Sequence, residues 1–563
     1  MSDRRRLWRD IALLLLILLP YFIVMLSARP LNVPDEGRYP EIAREMLVSG
    51  DFITPRVNGA VFLDKPALYY WLEAASMKVL GVNLTAIRLA PALFGVVGCL
   101  LVFLTGYRFF NRRTAWLATG ALATFPLYFL SSQYANLDLE VAVWITAALV
   151  GFLFAQAEPL DSPRRRWYFI LAYTAGGFGV LTKGLIGIVL PAIAIFTWML
   201  WERRWRELPR WGLVWLPVGV LAVCLPWYSA VQMHNPQFLH FFFIYQQFQR
   251  FTGGGFNNVF PAWFYPAVLM LGLLPWSIWL PCALRDGWQA RREDQGVRSF
   301  LMAWPLAILV FFSLPASKIV SYILPTVPPL ALLMGAAFDR WLSRNRQAPI
   351  LMTLTAVVPL AIAVGLLVFA ARVPHIAKYT AHPVLPMLLR GLAVSLLIAV
   401  AVLVAKRRDG AQAAAWSLGM AGAAIALWLG PLVPCFDKES MRDTADALRP
   451  MLTADAVVVT YHNYYQDLPV YLNRPDHIRV VDNWTDPNIV NVDNWRREFF
   501  FALRDQPEAH GWLLDDAAYG ELLRGSRPVF TVTSNDEAVK VASRFGQRVV
   551  WHSPHYSILV KGG

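Results

Sequence analysis

The sequence is short of the residues that mark most secreted and soluble folds. It has four cysteines in 563 residues, Cys99, Cys224, Cys282 and Cys435. They are too scattered for a disulfide framework or a zinc motif. The first three fall inside apolar runs, where a free cysteine behaves as a small hydrophobe. Charge is scarce too: Asp, Glu, Lys and Arg make up 16% of the chain, against about 25% in an ordinary soluble domain. There is no GxGxxG and no P-loop, so neither nucleotide fingerprint is present. No internal repeat and no low-complexity tract occurs.

What is abundant is hydrophobic length. Apolar residues make up 57% of the chain, and runs near 18–20 residues recur up to position 436. That length crosses a hydrocarbon core of roughly 30 Å. The pattern predicts a polytopic α-helical membrane protein with about thirteen spans, near 11–28, 86–108, 114–132, 138–157, 167–182, 184–201, 211–230, 263–284, 299–316, 319–341, 349–371, 385–405 and 413–433. Arg4, Arg5, Arg6 and Arg9 precede the first run, and Arg29-Pro30 with the residues before it make a poor cleavage site. The first run is therefore read as an uncleaved helix with a cytoplasmic N-terminus.

The net charge of +13 is uneven: residues 437–563 hold 14 Lys+Arg and 18 Asp+Glu, a net −4, which leaves +17 for the rest. A nucleic-acid binder would gather that charge on one face. Here it sits in Arg112-Arg113, Arg164-Arg165-Arg166, Arg203-Arg204-Arg206, Arg291-Arg292, Arg344-Arg346 and Lys406-Arg407-Arg408, all on alternate connections. That alternation is the positive-inside signature, and an odd helix count puts residues 437–563 outside. The expected organisation is a transmembrane domain 1–436 with long outward loops 29–85 and 231–262, followed by a domain 437–563. Loop 29–85 carries amphipathic stretches at 35–49 and 66–80 suited to helices on the membrane surface. In 437–563, β-like runs (Ala456–Tyr461, Ile478–Val481, Val549–Trp551, Ser557–Val560) alternate with helical stretches (Met441–Met451, Asp536–Arg544), which predicts a small α/β domain.

Candidate functional residues lie on the outward side, where a charge beside membrane helices is costly unless paired or used. In Pro34-Asp35-Glu36-Gly37-Arg38-Tyr39, two adjacent carboxylates offer a base, an acceptor-orienting group or a metal ligand; equally, Asp35 fits a helix N-cap. In Asp64-Lys65-Pro66, an ammonium at a helix start makes a phosphate site or is a solvated loop lysine. Asp138, in Asn136-Leu137-Asp138-Leu139-Glu140, is a cap or a second catalytic carboxylate. Lys183, in Leu181-Thr182-Lys183-Gly184, either snorkels or anchors an anion. The aromatic run Phe241–Phe251 carries Arg250 as a phosphate ligand or belongs to an interface belt, and Gly253-Gly254-Gly255 after it supplies lid-like mobility. Lys318 lies between two spanning runs. Four outward cations, Lys65, Lys183, Arg250 and Lys318, with Asp35 and Asp138, suggest one anion-binding cavity at the interface.

These segments, in this order and over the whole chain, resemble the bacterial C-type glycosyltransferases that use polyprenyl-phosphate sugars. In particular they resemble the 4-amino-4-deoxy-L-arabinose lipid A transferase family, related to the protein O-mannosyltransferases. The carrying residues are those quoted above together with Gln249-Arg250-Phe251 and Ser317-Lys318 with Tyr322-Ile323-Leu324-Pro325. The resemblance implies a C-type glycosyltransferase fold and inverting transfer from undecaprenyl-phosphate-sugar to lipid A or another periplasmic acceptor, at the bacterial inner membrane. Asp35 and Asp138 would be the required acids. Lys65, Arg250 and Tyr322 would hold the carrier phosphate, and Glu36, Tyr39, Asp64, Lys183, Tyr245 and Lys318 would line the cavity. The sequence departs from the family pattern at Asp64, where Glu is usual. It departs again at Tyr245-Gln246-Gln247, where His, or His with Glu, is usual. Tyr and Gln are poor zinc ligands, so no cofactor is expected to be required; a divalent metal, if bound, would fall to Asp35 and Asp64. Two other classes compete: a protein O-glycosyltransferase of the same fold, and a lipid-linked-sugar flippase, which usually shows paired halves. A structural or sensor protein would leave the outward cations without a purpose.

Overall fold

The computed structural model describes residues 2–249, 259–344, 349–375, 383–436, 440–491 and 494–561. Arg250, Arg346, Gly253-Gly254-Gly255 and the side chain of Tyr245 lie outside the described residues. The chain divides into two compact units: Met1–Arg29, Arg88–Ser229 and Phe243–Phe436 form one, and Pro30–Ile87, Ala230–Phe242 and Asp437–Gly563 the other. The last cut falls at the expected boundary after residue 436, but loop 30–87 counts with the C-terminal residues.

The first unit is helical, and the apolar segments expected to span are helical, but 114–132 and 263–284 are each broken into separate helices. Seven helices are long and apolar enough to cross a membrane. They become eight if the pair Phe264–Gly272 and Trp276–Ala290, bent by 112°, is one span, and Ile186–Glu202 and Val297–Ser313 are shorter apolar helices. Ser2–Ile23 and Pro163–Lys183 carry clusters of arginine near their starts. Arg112–Thr124 and Pro126–Ser132 are parted at Phe125, whose backbone is extended as sterics before a proline favour. The chain is a multi-pass membrane protein. Its core runs through Phe22, Phe103, Phe125, Trp198, Trp279 and Trp304, all buried. Helices Pro349–His375 and Leu385–Ala405 bury only 22% and 33% of their apolar windows, the mark of helices whose other faces meet lipid. Among the basic connections, Arg112 pairs with Asp10 at 2.5 Å and Arg113 with Asp339, which ties neighbouring helix ends. Cys99, Cys224 and Cys435 are buried, Cys282 is half-buried, and all four are unpaired.

The second unit is built on a six-stranded sheet of order β5-β4-β3-β6-β8-β7. The strands are β3 (Val457–Tyr461), β4 (Arg479–Val481), β5 (Leu513–Leu514), β6 (Val529–Ser534), β7 (Gln547–His552) and β8 (Tyr556–Lys561), with β1 (Arg56–Val57) and β2 (Ala60–Val61) forming a separate hairpin. β5, β4, β3 and β6 run parallel, and β8 and β7 add an antiparallel edge. β3 is buried along its whole length because it is covered on both faces, as parallel strands are. Val458 packs with Met441, Leu448 and Leu468; Val457 and Val459 pack with Tyr519, Leu523 and Val541. The expected runs are all strands; the sequence reading omits β5 and β6, the latter a plain β-branched run.

Loop 30–87 folds onto this domain. Asn58 exchanges two 2.8 Å hydrogen bonds with the Ile478 backbone, Arg44 Nη1 donates to the Arg474 carbonyl at 2.6 Å, and Tyr471 Oη accepts the Leu31 amide at 2.7 Å. The two amphipathic stretches are helices, Asp35–Ser49 and Leu68–Leu80. The first does not lie with one face in lipid: its buried residues include Glu36, Glu41, Arg44 and Glu45 as well as Ile42 and Met46. The polar face is buried because it meets protein, with Glu41 and Arg44 paired at 2.6 Å.

Candidate functional site

In the helical unit, the helix Leu137–Gln156 is capped by Asn136, whose Oδ1 accepts the Asp138 amide at 2.8 Å. Capping therefore does not engage the Asp138 carboxylate. The helix Pro163–Lys183 ends at Gly184, at φ +90°, and turns back at once into Ile186–Glu202. A Cβ on Gly187 would stand 2.4 Å from the Gly179 backbone, so only glycine allows this hairpin its close approach. The tight turn fixes Lys183. Its ammonium donates to Asp138 Oδ1, Ser321 Oγ donates to Asp138 Oδ2, and the Tyr322 ring centre lies 4.7 Å from Lys183 Nζ. The Asp138 and Lys183 side chains are 8% and 12% exposed. Two ions that far from water persist because each neutralises the other, and the aromatic face adds cation–π attraction. Fully buried Glu140 accepts from Trp144 Nε1 and Thr182 Oγ1, both at 3.4 Å.

Lys318 is otherwise employed. Its Nζ donates to the carbonyls of Pro315 at 2.6 Å, Phe260 at 2.9 Å and Ala316 at 3.4 Å, and the residue is buried. These contacts clasp two chain segments. Lys318→Met is expected to lower thermal stability by several kcal/mol, since charge-assisted hydrogen bonds contribute roughly 1.5–3 kcal/mol each, and to leave the donor KM of the folded fraction unchanged. A thermal melt in detergent with steady-state kinetics checks this; a raised KM with unaltered stability would return Lys318 to the anion-binding residues.

In the other unit, the N-cap of Asp35–Ser49 is Pro34, and Asp35 is the first helical residue. Glu36 is buried, and its Oε2 accepts the Asn32 amide at 2.9 Å. Glu36 therefore folds back on the helix start. Tyr39 is buried with its ring 6.0 Å from Tyr69 and 5.9 Å from Tyr70. Burial, and then the Asp35 and Tyr70 charges, push its hydroxyl well above the ordinary phenol value, so it is a permanent donor. Tyr70 is raised likewise by burial and then Asp64, and its buried hydroxyl has no hydrogen-bond partner among the described residues. Burial opposes the charge on Arg38, but Glu498, Asp35 and Asp64 outweigh it and hold the guanidinium charged. Lys65 Nζ donates to the Asp64 carbonyl at 3.2 Å. Asp35, Arg38, Tyr39, Asp64 and Tyr70 thus share one electrostatic neighbourhood.

Sequence reasoning missed Tyr70, which looks like any aromatic on an amphipathic helix. It also missed Arg29 and Arg88. Arg88 is fully buried and donates to the carbonyls of Leu26 at 2.8 Å and Arg29 at 2.9 Å, while Arg29 Nη2 donates to the Gln133 carbonyl at 2.8 Å. An arginine inside the 86–108 run was the available signal. Among the described residues no three of His, Cys, Asp and Glu converge as a metal-ligand set, and Arg38 beside Asp35 and Asp64 disfavours a cation there.

A multi-pass helical body with charged residues held near its helix ends, joined in sequence to a small α/β domain, is the architecture of the C-type glycosyltransferase fold. Residues 10–242 match the family model described as dolichyl-phosphate-mannose-protein mannosyltransferase. An undecaprenyl phosphate-alpha-4-amino-4-deoxy-L-arabinose arabinosyl transferase of Pseudomonas aeruginosa (strain UCBPP-PA14) is 39% identical over 341 residues, 60% of each chain. The protein of that same name from Edwardsiella ictaluri (strain 93-146) is 35% identical over 345 residues, 61% of each. The chain thus spans about three-fifths of the length of the curated relatives it matches. A crystal structure of ArnT from Cupriavidus metallidurans bound to undecaprenyl phosphate matches with a TM-score of 0.81 and 26% identity over 98% of both chains. The chain is similar to these 4-amino-4-deoxy-L-arabinose transferases and has the fold of ArnT.

Proposed function

We propose that the protein transfers 4-amino-4-deoxy-L-arabinose from undecaprenyl phosphate to a lipid A phosphate, with inversion, at the periplasmic face of the bacterial inner membrane. The observation that carries this reading is the likeness over 98% of both chains to ArnT in its undecaprenyl-phosphate-bound form. As the glycosidic bond breaks, negative charge grows on the carrier phosphate. Lys65, Arg250 and Tyr322 stabilise it, with no metal needed for a monophosphate leaving group. Asp138 acts as a positioning carboxylate that holds Lys183 against Tyr322. A lipid A phosphate is already ionised and needs no strong base; Asp35 orients it and stabilises the oxocarbenium-like centre. The family model named for protein mannosyltransferases supports a second reading, transfer to a Ser or Thr hydroxyl, in which Asp35 must take a proton.

Purified protein incubated with undecaprenyl-phosphate-aminoarabinose and either lipid A or a Ser/Thr peptide, read by mass spectrometry, separates the two. Modified lipid A is expected; modified peptide alone would replace the first reading by the second. Lys65→Ala and Arg250→Ala are each expected to raise the donor KM about tenfold or more, as charge-assisted contacts require, with melting unchanged. Normal kinetics in both would remove the phosphate assignment.

The same reading puts residues 437–563 in the periplasm. It rests on six basic connections alternating along the chain. A phosphatase reporter fused after Gly563 is expected to be active in cells, and a cytoplasm-only reporter there to be silent. The reverse pattern would overturn the orientation.

A further inference from the structure

The C-terminal domain has a cavity of about 410 Å³ where the parallel strands begin. Arg479 opens β4, Trp512 immediately precedes β5, and Arg527 lies two residues before β6. The ends of three strands thus bring Arg474, Arg479, Arg527 and Trp512 to one pocket, with Asp455 and Asp476 on its wall.

The three arginines differ in employment. Arg474 donates to the carbonyls of Thr453, Ala454 and Ala456 at 2.9, 3.0 and 3.2 Å and faces Asp476 at 3.3 Å. It is a wall fixture. Arg479 and Arg527 form no ion pair or hydrogen bond among the described residues. They act on each other: burial lowers the Arg479 pKa first, and the like charge of Arg527 lowers it further, against a weaker pull from Asp476. Asp455 and Asp476 act on Arg527 and Arg479 only from beyond ion-pair distance, so two guanidiniums share one concave surface at a cost that an anion would relieve. Arginine forks match phosphate oxygens bidentately.

Trp512 is the second, independent sign. It is 8% exposed and lines the cavity, and its indole N–H has no hydrogen-bond partner among the described residues. Its ring is fixed by His477, with centroids 4.7 Å apart. The volume is far more than a bare phosphate fills and lies within the range of small-ligand pockets. The carboxylates of Asp455 and Asp476 would repel a naked dianion but accept hydrogen bonds from hydroxyls.

From these residues we infer that the C-terminal domain carries a phosphosugar-binding site, with the phosphomonoester on Arg479 and Arg527, the sugar against the Trp512 side chain, and hydroxyls on Asp455 and Asp476. The site goes beyond the transfer reaction: it belongs to residues 454–527 alone and holds whichever acceptor the enzyme uses. The phosphosugar is free in solution or is the phosphorylated headgroup of a saccharide lipid; both present the same chemistry.

The test uses full-length protein in detergent carrying Lys65→Ala and Arg250→Ala, so that the proposed donor site does not contribute. Glucosamine 1-phosphate, inorganic phosphate and a phosphorylated disaccharide lipid are titrated in turn by calorimetry. Saturable binding of glucosamine 1-phosphate, tighter than inorganic phosphate and weakened about tenfold or more by Arg479→Gln with Arg527→Gln, is expected. Arg527→Glu alone, a change at an exposed side chain that leaves the fold intact, is expected to abolish it, and Trp512→Phe to weaken it. Tighter binding of the lipid than of the free sugar phosphate would identify the headgroup as the source; equal or weaker binding would identify the soluble one. No saturable binding, equal affinity for inorganic phosphate, or binding untouched by Arg527→Glu would overturn the site.

Discussion

Asp35→Asn will abolish transfer while the protein still inserts and folds. Asn is isosteric and caps helices about as well as Asp, and the structure makes the comparison cleaner still, because Pro34 is the N-cap. What Asn removes is a charge. That charge helps hold Arg38 protonated and Tyr39 neutral. Its contribution to helix stability as an acid in the first turn is only about 0.3–1 kcal/mol. If Asp35 works on the acceptor or the sugar centre, turnover falls by about 10²–10⁴-fold, the usual range for one acid–base group. Glu36→Gln is the control. Glu36 accepts the Asn32 amide at 2.9 Å, and a Gln oxygen can accept it too, so turnover should change little. Turnover near normal in Asp35→Asn, with normal melting, would remove Asp35 from the reaction.

The fold was legible in the sequence wherever a signal is local. Apolar length marked the helices. The abrupt Thr182-Lys183-Gly184 turn stands in consecutive residues, whereas the cap expected at Asp138 falls to Asn136. What was not legible depends on chain distance. Asp138 is paired with Lys183, 45 residues on, and with Ser321, 183 residues on. Nothing in Leu137-Asp138-Leu139 separates a paired carboxylate from a cap. The docking of loop 30–87 on the C-terminal domain rests on Asn58 reaching Ile478 across 420 residues. Read alone, the stretch 35–49 looks amphipathic and bound for a membrane surface. Only its partner shows why Glu41 and Arg44 can be buried. Lys318 misled for a related reason. A lysine on the outward side argues for an anion, yet two backbone carbonyls of the turn before it and one from Phe260, 58 residues away, accept from the ammonium.

The same logic sets the second large effect, at Lys183. Replacing it by Met leaves the Asp138 carboxylate buried with, among the described residues, only the Ser321 hydroxyl to satisfy it. Breaking a buried pair from one side typically costs about 3–5 kcal/mol, because the remaining ion has lost its counter-charge. Asp138→Asn should cost less. Lys183 retains the Tyr322 ring at 4.7 Å and has a flexible stem that can carry its ammonium toward water. The double variant Asp138→Asn/Lys183→Met removes both charges, so most of the stability should return, and the thermodynamic cycle should give a coupling energy of about 1–3 kcal/mol. Activity should not return with it. In the proposed reaction the pair fixes Tyr322 for the carrier phosphate, and a stable protein without the pair has lost that geometry. Melting curves and single-turnover transfer on the three variants therefore separate two roles that a single substitution confuses. A double variant that is both stable and active would show that Asp138 and Lys183 hold the helices together and take no part in transfer.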